Sequence, residues 1–308
     1  MITKEELTRL QQLPLEDKVA ITKVRIQEWY EHYNGNVYVS FSGGKDSTVL
    51  LTIARQVFPD IPAVYVDTGL EYPEIKEHVK TFENVEIIRP KMSFKEVVET
   101  YGYPVVSKEN SQKIYDIRNS KSQDLISKRM NGKVSTNGNL CGKLAEKWKF
   151  MLDAPFKISG QCCSIMKKSP VKIYEHHTGR HPIVGTMAVE SSIRTLSYLK
   201  NGCNPFESTR PISQPMSFWT EQDVLQYIRK YNIQYATVYG EILKDDKGKL
   251  KFSGCQRTGC MFCMYGVHME KGMNRFQLMK ETHPKLWEYC IYQLNLKQVL
   301  EYIGVEYK

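Results

Sequence analysis

The segment that decides the fold of this chain is VYVSFSGGKDS, residues 37–47. Its first half is a short apolar run that predicts a buried strand, and its second half is a turn with two glycines. Residues 48–58 follow with the spacing of a helix. Adjacent glycines allow successive backbone N–H groups to approach an anion at the start of a helix. The segment therefore predicts a phosphate-binding loop, to which Lys45 and the two loop serines add donors.

Segments with strand and helix character alternate on both sides of this loop. Further strands are predicted at residues 62–66, 85–88 and 182–185, and helices at residues 15–33, 73–82, 220–230 and 286–302. This alternation predicts an α/β fold with a doubly wound, mostly parallel sheet. We expect N-terminal helices in residues 1–34, an α/β domain in 35–240 with a basic helical insertion at 105–150, and a Cys-rich C-terminal lobe in 241–308.

Composition excludes a disordered or membrane-spanning chain. Hydrophobic residues make up 41% and charged residues 25% of the 308 residues, and no apolar run reaches the length of a membrane helix. Residues 107–149 contain eight Lys and two Arg against four acidic residues, so +6 of the net charge of +9 lies there. This excess predicts either a solvated face or a surface for a phosphate-rich partner. Without an export signal we expect a cytoplasmic protein, in which eight cysteines do not predict disulfides.

The loop SGGKDS, residues 42–47, resembles the signature of the PP-loop nucleotide α-hydrolase superfamily. Members of that superfamily bind ATP and cleave it between the α and β phosphates. The resemblance implies an adenine nucleotide α-hydrolase-like fold that binds ATP with Mg²⁺, and it makes Lys45 and Asp46 candidate catalytic residues. The nucleotide-binding residues that it implies in the loop are Ser42, Gly43, Gly44, Lys45, Asp46 and Ser47.

Two later stretches resemble the sulfonucleotide (PAPS/APS) reductase branch of this superfamily. They are VDTG, residues 66–69, and GTMAVESSIR, residues 185–194. Met187 stands where the family pattern has an arginine. The resemblance adds Asp67, Gly185, Glu190 and Arg194 to the nucleotide-binding residues and makes Arg194 a candidate for stabilising developing negative charge.

Five cysteines are grouped so that four of them could bind one metal centre. They are Cys162, Cys163, Cys255, Cys260 and Cys263. A Cys-x-x-Cys turn presents two sulfurs to one centre, and four thiolates suit a [4Fe–4S] cluster or, alternatively, Zn²⁺. The stretch CCSIMK, residues 162–167, resembles an element of APS reductases that holds a [4Fe–4S] cluster, with a lysine between cluster and substrate. The resemblance therefore makes Lys167 a candidate catalytic residue, while the choice of four cysteines among the five stays open.

The catalytic thiol of the reductases is missing from its expected context. Reductases carry Glu-Cys-Gly-x-His near the C-terminus, whereas MYGVH, residues 264–268, has Tyr265 at that position, and Cys290 is the only later cysteine. The whole pattern is closer to the ATP pyrophosphatases of DNA phosphorothioation. That resemblance implies adenylation of a DNA phosphate, sulfur from a donor protein, and DNA binding by residues 107–149. The alternatives are a PAPS/APS reductase and a non-catalytic, redox-sensing module that binds nucleotide or DNA.

Overall fold

The computed structural model describes residues 2–136 and 138–308. The α-helices within these residues are α1 (Lys4–Gln11), α2 (Leu15–His32), α3 (Lys45–Val57), α4 (Pro73–Lys80), α5 (Phe94–Thr100), α6 (Lys108–Asn119), α7 (Gln123–Asn131), α8 (Ser169–Thr178), α9 (Ser192–Asn201), α10 (Glu221–Lys230), α11 (Arg275–Thr282), α12 (Pro284–Glu288) and α13 (Leu296–Tyr302). The strands are β1 (Val37–Ser40), β2 (Ala63–Val66), β3 (Val85–Ile88), β4 (Val105–Val106), β5 (Lys133–Val134), β6 (Leu140–Cys141), β7 (His181–Val184), β8 (Ile242–Lys244), β9 (Leu250–Phe252) and β10 (Met264–Tyr265).

The central sheet contains four strands in the order β3–β2–β1–β7, and every neighbouring pair is parallel. Side chains alternate between its two faces. Val37 and Val39 of β1 belong to a large core with α2, α3 and α10, whereas Tyr38 packs on the other face against Tyr174 of α8. Because both faces are covered by helices, the predicted α/β fold with a doubly wound, parallel sheet is confirmed.

Strand β1 is the point at which the chain changes the side of the sheet to which it adds strands. From β1 the chain continues to β2 and β3 on one side, while β7 pairs with the opposite edge of β1, with Val37 opposite His181. In open parallel sheets, ligands bind beyond the carboxyl ends of the strands at such a switch point. The segments that follow β1 and β7 are residues 41–44 and 185–187, and they leave the sheet at this point.

Two predicted helices have different bounds in the structure. Helix α3 begins at Lys45, three residues before the predicted start, because Gly44 in extended conformation is its N-cap. The prediction of one continuous helix over residues 286–302 is wrong. Helix α12 is followed by a π-helical turn over Tyr289–Gln293, and α13 begins only after Asn295, whose φ of +53° interrupts the helical path.

The chain consists of two compact units. The first unit runs to Asp67 and also contains Glu71–Ile88 and Val171–Thr258, so that it holds the central sheet and the β8–β9 hairpin. The second unit contains Thr68–Leu70, Arg89–Pro170 and Gly259–Lys308. It holds α5–α7, α11–α13, the β5–β6 hairpin and the parallel pair β4–β10.

Candidate functional site

The predicted phosphate loop connects β1 to α3 in a conformation that requires glycine. Gly43 has φ +71°, and a Cβ built on it would lie 2.7 Å from the side chains of Ile75 and Val79 in α4. Gly44 forms the N-cap of α3, so the first N–H groups of that helix point toward the loop. The backbone therefore passes close to α4 and presents a helix N-terminus, as an anion-binding loop requires.

The two serines brace the loop from within. The hydroxyl of Ser47 accepts a hydrogen bond from the backbone N–H of Ser42 at 3.1 Å and donates one to the carbonyl of Gly44 at 2.9 Å. The hydroxyls of the two serines are 3.0 Å apart, and that of Ser42 accepts a longer bond from the N–H of Gly44 at 3.3 Å. These contacts hold the loop in a compact turn.

Lys45 and Asp46 form a charged pair at the base of the loop. The ammonium of Lys45 lies 3.2 Å from Oδ2 of Asp46 and 3.6 Å from Oε1 of Glu221, and its side chain is almost completely buried. The other carboxylate oxygen of Asp46, Oδ1, is buried and has no hydrogen-bond partner in residues 2–136 and 138–308. Burial raises the pKa of Asp46 above its usual range, and Lys45 opposes this shift. A buried acceptor without a donor is the kind of group that a metal ion or a ligand satisfies.

Tyr239 and Thr258 approach the loop from distant parts of the first unit and were not predicted from the sequence. The N–H of Lys45 donates to the hydroxyl of Tyr239 at 3.0 Å, and that hydroxyl lies 2.7 Å from the hydroxyl of Thr258. Burial raises the pKa of Tyr239 to about 12, so the phenol is neutral at physiological pH. A signal for this role is hard to find in the sequence, because neither residue belongs to a recognisable motif.

The segment after β7 approaches the same loop. A Cβ on Gly185 would lie 3.0 Å from the carbonyl oxygen of Asp46, so glycine permits this close approach. Glu190 accepts a hydrogen bond from the N–H of Met187 and forms an ion pair with Arg194. The carboxylate of Glu190 contributes to the raised pKa of Asp46. The structure thus brings Gly185 and Glu190 to the loop, and Arg194 accompanies Glu190.

Asp67 lies directly after β2, where its carboxylate forms an ion pair with Lys76 at 2.7 Å. Asp67 was predicted as a nucleotide-binding residue, and Lys76 in α4 was not. Helix α4 also lies against Gly43 of the loop. One helix therefore contacts both the phosphate loop and, through Lys76, the carboxylate of Asp67.

The second unit brings together four of the five grouped cysteines. Burial raises the pKa of Cys162, and the thiols of Cys163, Cys260 and Cys263 raise it further. Burial also raises the pKa of Cys263, and Cys163 again adds to the shift. Such mutual effects require the four thiols to be close in space. In the part of the chain that the structure describes, however, no group of three or more His, Cys, Asp or Glu side chains is arranged to hold a metal ion.

Two cationic groups accompany these thiols. Lys167 lies in a π-helical turn, Ser164–Lys168, that directly follows Cys163, and its ammonium lowers the pKa of both Cys162 and Cys263 against the effect of burial. Arg275 donates to the carbonyl of Cys263 at 3.0 Å. The positive charges would offset the negative charge of thiolates in this unit.

Tyr265 faces the same thiols. It lies in β10, which pairs with β4. Burial is the main cause that raises the pKa of Tyr265, and the thiols of Cys163 and Cys162 raise it further.

Cys255 belongs to the first unit. Its thiol donates to the carbonyl of Arg257 at 2.9 Å and lies 4.0 Å from the hydroxyl of Tyr72. It also contributes to the raised pKa of Tyr239, the residue that contacts the phosphate loop.

The basic segment 107–149 is partly engaged in internal contacts. Five of its ten cationic side chains bind carboxylates or backbone carbonyls of the second unit. They are Lys113, Arg118, Arg129, Lys143 and Lys149. In the described part of the chain, no helix has the length and apolar character needed to cross a membrane.

Comparison with known proteins finds one matching domain family and several relatives of low sequence identity. A phosphoadenosine phosphosulfate reductase domain matches residues 36–265. An uncharacterized protein of Methanocaldococcus jannaschii is 26% identical over 278 residues, which are 85% of this chain and 49% of that protein. This chain thus spans about half the length of that relative. An adenosine 5'-phosphosulfate reductase of Staphylococcus haemolyticus is 24% identical over 225 residues, 70% of each protein.

A solved structure is also similar. Phosphoadenylyl-sulfate (PAPS) reductase from Candida auris superposes with a TM-score of 0.39 and 14% identity, covering 84% of this chain and 98% of that chain. A similarity of this extent assigns no activity. The domain match, in contrast, covers well over half of the sequence and includes the phosphate loop, the segment after β7 and the grouped cysteines. The chain therefore belongs to the phosphoadenosine phosphosulfate reductase domain family.

Proposed function

We propose that this protein is an AMP-forming PP-loop ATP pyrophosphatase that transfers an adenylyl group in a sulfur-transfer pathway. The observation that carries the proposal is the geometry of the phosphate loop. Gly44 opens α3, Lys45 lies at the base of the loop, and Oδ1 of Asp46 is buried without a partner in residues 2–136 and 138–308. The triphosphate of ATP offers oxygens to the helix N-terminus, and its Mg²⁺ offers a partner to Asp46.

The proposed reaction begins when an oxygen of the acceptor attacks the α-phosphorus of ATP. The bond from that phosphorus to the bridging oxygen breaks, and pyrophosphate leaves with the electron pair. Lys45 stabilises the charge that develops on the phosphates, and Arg194 exchanges Glu190 for a phosphate oxygen. A sulfur nucleophile then displaces AMP from the adenylated acceptor. Ser42, Ser47 and the backbone of the loop orient the triphosphate for this step.

The cysteines of the second unit fit a thiolate-bound cofactor. Cys162, Cys163, Cys260 and Cys263 would hold it, because all four belong to the second unit and the thiols of the other three raise the pKa of Cys162. Four thiolates suit a [4Fe–4S] cluster, which is the cofactor that the resemblance of residues 162–167 to APS reductases implies. Such a cluster supplies electron transfer or an iron that binds sulfur. Zn²⁺ remains the alternative occupant.

The proposed acceptor is nucleic acid, with DNA phosphorothioation as the specific pathway and a protein as the sulfur donor. The support within residues 107–149 is the set of cationic side chains that, in the described part of the chain, form neither an ion pair nor a hydrogen bond to a backbone carbonyl. They are Lys108, Lys121, Lys128, Lys133 and Lys147. Four of them are exposed, and Lys128 is half-buried. These lysines are available for phosphate contacts.

A sulfonucleotide reductase is the second candidate function, and the domain match over residues 36–265 favours it. A reductase of this kind requires a nucleophilic thiolate. Tyr265 replaces the expected thiol, and Cys290 is completely buried with a pKa that burial raises. These two observations favour the pyrophosphatase.

The decisive experiment measures pyrophosphate release from Mg-ATP under anaerobic conditions, with and without a DNA duplex. Wild type is compared with Lys45→Ala and with the control Lys80→Ala, whose lysine is exposed on α4 and pairs with Glu77. Release that disappears in Lys45→Ala and persists in Lys80→Ala supports the proposal. Sulfite formation from APS or PAPS without pyrophosphate release from ATP would establish the reductase instead. Neither product, with metal and sulfide contents intact, would exclude both as stand-alone activities.

A further inference from the structure

A second concentration of positive charge lies outside the basic insertion. Residues 226–251 contain six basic and three acidic residues, a net of +3. Together with the +6 of residues 107–149, this accounts for the entire net charge of +9. The charge belongs to the end of α10 and to the β8–β9 hairpin, both in the first unit.

A cavity of about 620 Å³ opens between these two elements and the start of α2. Leu15 and Leu250 provide apolar surface within it, and Gln226 provides an amide. The cationic side chains that line the cavity are Arg229, Lys230 and Lys244. We refer to it as the α10–hairpin cleft.

The cleft has a defined wall because the hairpin is fastened to α10. The side-chain amide of Gln222 donates to the carbonyl of Leu250 at 2.8 Å, and its oxygen accepts from the N–H of Leu250 at 2.8 Å. Lys244 is directly opposite Leu250 in the register of the hairpin, so both side chains lie on the same face. Lys251 pairs with Leu243 and lies on the opposite face. The hairpin thus directs one lysine into the cleft and another away from it.

The charges in the cleft are only partly neutralised. Lys230 forms an ion pair with Glu16. Arg229 and Lys244 are exposed and form no ion pair with any residue that the structure describes. Two unpaired cations beside apolar side chains match a ligand that carries successive phosphates joined by sugar rings.

We propose that the α10–hairpin cleft binds the sugar–phosphate backbone of a nucleic acid. The guanidinium of Arg229 holds one phosphate, Lys244 holds a neighbouring phosphate, and Leu15 and Leu250 contact the sugar between them. The proposal rests on the proposed function only in taking nucleic acid as the acceptor. Backbone binding requires no ATP, so it is measurable apart from pyrophosphate release.

The test is fluorescence anisotropy with a labelled 20-base-pair DNA duplex and a labelled 20-nucleotide RNA, without ATP, over a range of salt concentrations. The double variant R229Q/K244Q should bind at least one probe roughly tenfold more weakly at low salt. The slope of log affinity against log salt should become less steep by about 2, because two phosphate contacts are lost.

The control for the lysine of the cleft is K251Q, which removes one positive charge from the other face of the same hairpin. Its affinity should stay within about twofold of wild type. A third variant, K128Q/K133Q, reports the contribution of the basic insertion. Binding of neither probe by wild type, or a loss in K251Q equal to that in R229Q/K244Q, would overturn the proposal. The proposal would also be overturned if R229Q/K244Q bound both nucleic acid probes like wild type, even if the cleft bound inorganic phosphate or ATP through Arg229.

Discussion

The backbone N–H of Lys45 donates a hydrogen bond at 3.0 Å to the phenol oxygen of Tyr239, 194 residues later in the chain. Tyr239 is 2% exposed, and its hydroxyl also contacts that of Thr258. The first helical N–H of the phosphate loop therefore has a fixed protein partner. Tyr239 sets the position of the loop backbone from outside the motif, and we expect it to act as a positioning residue for the proposed nucleotide.

Tyr239→Phe should weaken ATP binding more than it weakens the fold. The substitution removes one oxygen and leaves the N–H of Lys45 without its partner. We expect the KM for ATP to rise about threefold or more, and the free energy of unfolding to fall by about 1 kcal/mol. Steady-state pyrophosphate release and chemical denaturation measure the two effects.

Tyr235→Phe is the matched control for Tyr239→Phe. The hydroxyl of Tyr235 donates to the carbonyl of Gly240 at 2.9 Å, so its removal also breaks one hydrogen bond in the same part of the chain. We expect a similar loss of stability with an unchanged KM. Equal values of KM in the two variants would show that Tyr239 has only a structural role.

Gly43→Ala should destabilise the protein and abolish nucleotide binding. The φ of +71° is unfavourable for alanine, and the added methyl would lie 2.7 Å from the side chains of Ile75 and Val79. The strain and the clash together should lower the free energy of unfolding by about 2–4 kcal/mol. Isothermal titration with ATP and chemical denaturation test both expectations.

Gly69→Ala separates the effect of backbone strain from the effect of the steric clash. Gly69 has a similar φ of +76°, but a Cβ there has nothing within 4 Å. Its substitution should lower stability by only about 1 kcal/mol, since it adds conformational strain without a clash. If both alanine variants lose the same stability, the contact of the loop with α4 is not what constrains Gly43.

The sheet and the loop were predictable because their signals are local. An apolar run, a turn with two glycines and a following helix occur within residues 37–58, and the same alternation repeats to give a parallel sheet. Helix α13 was mispredicted for a local reason as well. Asn295 adopts a left-handed conformation that no periodicity of apolar residues reveals.

The residues around the site depend on contacts between distant segments. Tyr239, Thr258 and Glu221 reach the loop only because α10 and the segment after it pack against α3 in the first unit. The cysteines illustrate the opposite difficulty. Cys255 is five residues from Cys260 in the sequence, yet the two belong to different units. The spacing of the cysteines in the sequence therefore could not predict which four of the five bind the cofactor.

Asp46→Asn should stabilise the protein at neutral pH while it reduces pyrophosphate release. Burial raises the pKa of Asp46, so between its ordinary pKa and the higher pKa of the folded state the folded protein holds a proton that the unfolded chain releases. In wild type, the stabilising effect of the protonated carboxyl is fully present below its ordinary pKa of 3.8 and is lost as pH rises through the higher pKa of the folded state. The asparagine variant should have a larger free energy of unfolding than wild type at pH 7, and the difference should shrink as the pH falls toward 4.

Chemical denaturation across pH 4–8 checks this expectation. Asp60→Asn, at an exposed carboxylate, is the control and should match wild type within about 0.5 kcal/mol at each pH. A loss of stability at pH 7 in Asp46→Asn would mean that the ion pair with Lys45 outweighs the burial of the carboxylate.

Serine substitutions should show that four of the five grouped cysteines bind the cofactor and that Cys255 does not. The thiols of Cys163, Cys260 and Cys263 all raise the pKa of Cys162 in the second unit, whereas Cys255 contacts Tyr72 and the carbonyl of Arg257 in the first unit. After anaerobic reconstitution, each variant of the four should lose most of its iron and acid-labile sulfide, since a cluster requires four thiolates. Cys255→Ser should retain the content of wild type.

The measurement is metal and sulfide analysis together with the visible absorption spectrum, and the unfolding midpoint of each variant shows whether it is folded. If the protein contains zinc instead of iron, and the same four variants lose it, the four ligands stay as proposed and the bound metal is Zn²⁺. Loss of metal in Cys255→Ser, with retention in one of the other four, would contradict the ligand set. Cys255 would then have to leave its contact with Arg257, because a thiolate that binds iron can no longer donate to that carbonyl.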